Sequence, residues 1–311
     1  MSILIDSLLL LILFAILGVA ADFTVRNIKY ITSVLKIRLF AFGILLGLIT
    51  TLPELSVGIN STLDNAASLS VGNLLGGIMV IFGLILGVSL ILNWEVSSED
   101  GIKILIPEIA FIFSPILLGL DGKYGLLDGL VMIVLYLGLI FYLYRANHVF
   151  NLPNLNIINK NKIAKAAFIS IIGVITILLS SHWIVKTTLD LLNYINVSKL
   201  VVGVLFFAIG TNLPEITITI ASWRKKTSEL CLSHLLSSAF ANILILGILA
   251  SIKPITFIIG PAFWLLAIFM ALILLLFLLF YFSGKKMNRR EGFMLLSIYI
   301  LFVIANFLIV K

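Results

Sequence analysis

Apolar runs broken by short polar stretches organise this chain. Ten such runs lie near residues 3–21, 39–60, 69–92, 104–120, 125–144, 164–183, 198–222, 231–251, 261–282 and 292–310. A bilayer core of roughly 30 Å takes about 20 residues of α-helix, and most of these runs have that length. The apolar residues are continuous and do not alternate in ten-residue units, which argues against a membrane β-barrel. The pattern predicts an all-α polytopic membrane protein with ten transmembrane helices. The fourth run is the weakest, because Pro107, Pro115 and Gly119 interrupt it.

Composition agrees: the 311 residues are 61% hydrophobic and 11% charged, with a mean hydropathy of +1.23. A soluble domain carries about 25% charged residues, so most soluble enzymes and nucleic-acid modules are excluded. The single cysteine, Cys231, excludes a disulfide framework and a multi-thiolate metal site. No basic residue precedes the first apolar run, which begins beside Asp6, so a secretory signal is not expected there.

The net charge of +7 is a topology signal. Of the 21 Lys and Arg, 16 follow odd-numbered runs: Arg26, Lys29, Lys36, Arg38; Lys103; Arg145, Lys160, Lys162, Lys165; Arg224, Lys225, Lys226; Lys285, Lys286, Arg289 and Arg290. Even-numbered connections hold only Lys123, Lys186, Lys199 and Lys253. Cytoplasmic loops are the basic ones, so both termini are expected outside a cell (inner) membrane. Nucleic acid is not an expected partner. The Asn-rich stretch 146–162 reads as a cytoplasmic linker between repeats at 1–145 and 163–311.

The chain repeats itself. GLITTLPELSVGI (47–59) matches AIGTNLPEITITI (208–220) at an offset of 161, and LSVGNLLGG (69–77) matches LCLSHLLSS (230–238) without a gap. Five spans per half is an odd number, so the halves enter the membrane from opposite sides. Such inverted repeats build secondary transporters with a site near the midplane.

Glu54 and Glu215 fall at repeat-related places inside apolar runs, and an ionisable group at membrane depth marks an ion or proton path. Pro53 and Pro214 cannot donate to the carbonyls of Ile49 and Gly210, so both helices should kink and free carbonyl oxygens. Thr50 and Thr211 lie four residues before each Glu, on the same helical face. Carboxylates, hydroxyls and carbonyls are the hard oxygen donors that Ca²⁺ takes six to eight of. Gly72, Gly76, Gly83 and Gly87 have the spacing of close helix packing. Ser237, Ser238 and Asn242 add polar groups in the second half.

On these motifs the sequence resembles the calcium/cation antiporter superfamily, in particular its prokaryotic sodium/calcium exchanger-like members. The two repeats of that family carry a G-[ST]-S-x-P-E-like segment followed by G-N-x-x-G-S-N-x-x-[ND]. Here they read G-L-I-T-T-L-P-E with G-N-L-L-G-G-I-M-V-I, and A-I-G-T-N-L-P-E with S-H-L-L-S-S-A-F-A-N. The resemblance is specific over about 43–87 and 204–247. It implies that Glu54 and Glu215 are the Ca²⁺ carboxylates, with Thr50 and Thr211 as co-ligands. Thr51, Ala208, Asn212, Ser238 and Asn242 fall at or beside positions used for Na⁺ or the central site. Gly77 stands where a ligating Ser is expected, Ile81 where an Asn is expected, Asn212 replaces a Ser, and Ser233-His234 replaces Gly-Asn.

The expected function is antiport of Ca²⁺ or a similar divalent cation for monovalent cations, with Na⁺ as the family's counter-ion. The alternatives are proton coupling through either Glu, with His234 in a proton path, or a non-transporting paralogue. No enzyme activity and no cofactor is expected; the partners are inorganic cations and the lipid bilayer, with no obligatory protein partner evident. A lipid-phosphate phosphatase would need an Arg inside a span, and there is none. A hydrolase drawn from Ser181, His182 and Asp190 lacks a supporting pattern.

Overall fold

The computed structural model describes residues 3–34, 48–93, 95–97, 102–145, 160–192, 194, 197–216, 219, 228–284 and 286–309. The helices are α1 (Ile3–Val34), α2 (Leu52–Leu63), α3 (Ala67–Met79), α4 (Leu86–Asn93), α5 (Ile102–Leu118), α6 (Leu126–Arg145), α7 (Lys160–Leu192), α8 (Lys199–Val202), α9 (Ala208–Thr211), α10 (Ser228–Ile252), α11 (Pro261–Gly284) and α12 (Arg289–Ile309). A wide π-helical turn, Val80–Ile85, joins α3 to α4 as one span, and a second, Gly203–Phe207, joins α8 to α9. Helix therefore occupies all ten predicted spans within the described residues. Residues 39–47 of the second run, and the linker up to residue 159, lie outside them.

Two boundaries differ from the hydropathy reading. The first and sixth spans run for 32 and 33 residues, about 50 Å of helix, which exceeds the bilayer core. Polar residues ended the apolar run near 21, but the helix continues past it, with an Asp22–Arg26 ion pair one turn apart at 2.9 Å. Likewise α7 already begins at Lys160, inside the predicted linker. The fourth span is helical despite its prolines. Pro115 cannot donate to the carbonyl of Phe111, and the Ser114 hydroxyl donates there instead at 2.8 Å.

Two small antiparallel pairs mark the ends of the bundle. β1 (Glu95–Ser97) pairs with β4 (Lys286–Asn288), and β2 (Lys123–Tyr124) pairs with β3 (Ile255–Thr256). The α2–α3 turn lies at the β2–β3 end, where Lys253 Nζ donates to the Thr62 carbonyl and Asn65 Oδ1.

The span from Ala67 to Leu92 is central, with 83% of its most apolar window buried, against 22% for Leu126–Arg145 on the periphery. The glycines bring this core span into contact with its neighbours. A side chain at Gly72 or Gly76 would meet the backbone of the α8 segment (Leu200 O at 2.3 Å, Val204 Cα at 2.7 Å), and one at Gly87 would meet Gly292 of α12. α1 and α7 pack mainly against each other, crossing where Gly173 meets Thr24. Glu108 in α5 is a further buried acid within a span. Its position one repeat later is Phe269, so no second acid answers it.

Candidate cation site

Both T-x-L-P-E segments interrupt their helices at the same repeat-related residue. The backbone leaves helical geometry at Thr51 (φ −89°, ψ 15°) and at Asn212 (φ −80°, ψ 11°). Helix resumes at once: Leu55 N donates to the Thr51 carbonyl at 3.0 Å, and Ile216 N to the Asn212 carbonyl at 3.1 Å. Each proline thus sits in the first turn of a new helix, where its missing N–H costs nothing. The expected kinks are complete breaks, and each places a glutamate in the first turn of a half-helix. The positive end of the helix dipole favours a carboxylate there.

All nine sequence-predicted site residues (Thr50, Thr51, Glu54, Ala208, Thr211, Asn212, Glu215, Ser238 and Asn242) are at most 1% exposed. Hydrogen bonds tie the two halves together. Thr50 Oγ1 meets Ser238 Oγ at 3.2 Å, and Ser238 donates to Glu215 Oε1 at 2.9 Å. Because the Ser238 proton goes to Glu215, Thr50 is the donor in the first bond. Glu54 lies within electrostatic reach of Glu215 and near the Thr211 hydroxyl, and neither of its buried carboxyl oxygens has a partner at full hydrogen-bond geometry. Thr211 shares its hydroxyl between the Phe207 carbonyl (3.0 Å) and Asn73 Oδ1 (2.9 Å). Thr51 turns its hydroxyl back to the Leu48 carbonyl at 3.3 Å, which supports the break.

The departures from the family motif are linked in space. A side chain at Gly77 would lie 2.8 Å from Asn242 Nδ2 and 3.0 Å from Asn212 Nδ2. Two amides therefore fill the volume that a serine would need. Asn212 Nδ2 donates to the Ala208 carbonyl at 2.8 Å, and Asn242 Nδ2 makes a long 3.4 Å contact to the Leu74 carbonyl. Their nitrogens so engaged, both Oδ1 atoms are left buried without a partner. Ile81 sits in the π-helical turn with no exposed surface, packed in the apolar core, where it cannot ligate.

Asn73, fully buried and bonded to Thr211, belongs to this cluster and was not among the predicted ligands. Its signal was its place in G-N-x-x-G, opposite His234 at the 161-residue offset. His234 is buried one helical turn before Ser238, His182 is exposed, and His148 lies outside the described residues. Ser181 is buried while His182 and Asp190 are exposed, so no hydrolase triad assembles. Among the described residues no group of three His, Cys, Asp or Glu converges. The donors are oxygens of Glu, Asn, Thr and Ser. That set suits Ca²⁺ or Na⁺ and not a soft metal.

The sodium/calcium exchanger protein family matches residues 6–145 and 165–308, nearly the whole chain. The chain belongs to this family. Members are membrane transporters. A relative from Methanosarcina acetivorans, the sodium/calcium exchanger MaX1, is 23% identical over 98% of this chain and 99% of its own. Among solved structures, the sodium-calcium exchanger NCX_Mj soaked with Na⁺ and Sr²⁺ superposes with a TM-score of 0.67 at 21% identity, covering 96% of this chain and 98% of the other. The H⁺/Ca²⁺ exchanger CAX superposes with a TM-score of 0.77 at 16% identity, over 97% and 84%. At those identities the likeness is one of fold, that of a multi-pass all-α membrane protein.

Proposed function

We propose that this exchanger-family chain is a secondary antiporter that moves Ca²⁺, or a similar divalent cation, through one midplane site built on Glu54 and Glu215. The observation that carries the reading is the pair of half-helices: breaks at Thr51 and Asn212 bury two carboxyl groups beside at least two further unpartnered amide oxygens. A buried polar oxygen without a partner costs about 1–3 kcal/mol, and an unpaired buried charge more. Four such atoms in one place argue for a cationic substrate that supplies their partner. The two glutamates balance a divalent charge, and Thr50, Thr211, Asn212, Ser238 and Asn242 supply neutral oxygens or hold the acids in place.

In this reading, repeats at 1–145 and 163–311 face opposite ways, and the basic β1–β4 end is cytoplasmic with both termini outside. An empty site with two ionised glutamates is expensive to move through an apolar barrier. The carrier therefore switches access only when loaded, which couples the two ion flows. Na⁺ is the counter-ion by family. A second reading, proton coupling, is favoured by Ile81 and Gly77, which remove two oxygen donors from the positions that would take Na⁺.

Ca²⁺ uptake into proteoliposomes under a Na⁺ gradient or a pH gradient tests both. Uptake driven by either gradient and abolished by Glu54→Gln or Glu215→Gln is the expected result. Uptake unchanged by these substitutions refutes the site. Drive by pH and not by Na⁺ selects proton coupling.

A further inference from the structure

A second polar cluster lies away from the cation site, where α7 crosses α2. Asn60 Nδ2 donates to Ser181 Oγ at 2.8 Å and to the Ser56 carbonyl at 2.9 Å. Ser56 Oγ and Ser181 Oγ are also hydrogen-bonded. The Ser181 proton goes to the Leu178 carbonyl at 3.0 Å, so Ser56 and Asn60 are both donors to Ser181. Both serines are buried, at 2% and 0% exposure. Thr188, two turns along α7 from Ser181 toward the β2–β3 end, is a buried hydroxyl with no partner. Seven residues apart, Ser181 and Thr188 lie on the same face of α7, a polar stripe within the apolar packing of Val57, Ile184 and Val185.

The repeat-related seam, between α1 and the second broken helix, is built differently. Gly18 meets Leu213, Gly210 meets the ring of Phe14, and Phe14 stacks edge-on against Phe207 at 5.5 Å. The positions answering Ser56 and Asn60 are Thr217 and Ala221, and those answering Ser181 are Ala20 or, with the one-residue insertion, Ala21. At these answering positions the sequence has neither the amide nor the second hydroxyl, so these three residues have no repeat-related counterpart set. Inverted repeats switch access by exchanging roles. A contact whose residues occur in one repeat and are not repeated in the other favours one access state over the other.

We propose that Ser56, Asn60 and Ser181 form a lock that holds α7 against α2 and biases the carrier toward the state closed at the β2–β3 end. The lock rests on the alternating-access reading above, and it adds a resting preference for one side. Loss of two such neutral hydrogen bonds shifts a two-state equilibrium by about tenfold.

The test places a probe in the seam: Thr188→Cys in a Cys231→Ser background, reacted with a membrane-impermeant thiol reagent. Adding Ser181→Ala, which removes both bonds, is expected to raise the labelling rate about tenfold, and Asn60→Ala, which removes one, about threefold. The two together should do little more than Ser181→Ala alone, because both bonds end on the Ser181 hydroxyl. Labelling unchanged in both variants overturns the lock, as does a rise that the pair fully sums. A purely structural role would lower the melting temperature and leave labelling unmoved, which also overturns it. Should Ser181→Ala fail to fold, Ser56→Ala removes one donor with less disruption and carries the threefold expectation of Asn60→Ala. Ca²⁺ flux by the unaltered protein tests the transport reading separately, and labelling, which needs no transport, tests the lock alone.

Discussion

Gly77 gives the sharpest test of how the site is assembled. A Cβ at this position would stand 2.8 Å from Asn242 Nδ2 and 3.0 Å from Asn212 Nδ2, whereas ordinary contact begins at 3.4 Å. Both amides would have to retreat by roughly half an ångström. The 3.4 Å contact from Asn242 to the Leu74 carbonyl has no slack for that, and the shorter bond from Asn212 to Ala208 would bend. Overpacking of this kind costs about 1–3 kcal/mol. Taken from cation binding, it raises the Kd for Ca²⁺ by roughly tenfold to a hundredfold, at about 1.4 kcal/mol per decade. Gly77→Ala should fall at the low end and Gly77→Ser at the high end. Titration calorimetry on the purified protein measures this directly. Asn242→Ala weakens binding by itself, but Gly77→Ser added to it should cost less than in the unaltered chain, since the closer of the two clashes is gone and only that with Asn212 at 3.0 Å remains. A coupling of about 0.5–3 kcal/mol is expected for groups in contact. An unchanged Kd and melting temperature in Gly77→Ser would refute the claim that the amides occupy this volume.

Two further substitutions probe the scaffold. Thr211→Val keeps the shape but removes the donor to Asn73 Oδ1 and the Phe207 carbonyl; the Kd for Ca²⁺ should rise about tenfold, as for a lost buried hydrogen bond, and adding Asn73→Ala should cost little more. Gly173→Ala places a Cβ only 2.0 Å from Thr24 Oγ1; it should lower stability by about 1–3 kcal/mol, seen as a lower melting temperature that Thr24→Ala restores.

The parts of the molecule legible in sequence are those whose physics is local. A proline two residues from a break, a glutamate in the next turn and an apolar run on either side all lie within one helix. Because the pattern occurs twice, a pair of interrupted helices could be read before any packing was known, though as kinks and not as the complete breaks at Thr51 and Asn212. Helix ends were less legible: hydropathy reports where lipid stops, while α1 and α7 continue past that point as long as i,i+4 pairs and mutual packing hold them. Least legible were residues whose role depends on a partner far away in the chain. Gly77 looks like a lost ligand until Asn212 and Asn242, more than a hundred residues on, are seen to fill its place. Asn73 looks like a motif residue without a task until it accepts from Thr211. Ser181 reads as one member of a hydrolase triad, with His182 and Asp190, that does not assemble, and its hydroxyl belongs to the α2–α7 seam. The repeat explains the difference. It duplicates the local breaks in both halves, so the site stands out by symmetry, whereas the seams have diverged independently. That divergence is where a symmetric carrier acquires a preferred side: two identical half-sites alone would give both access states equal energy.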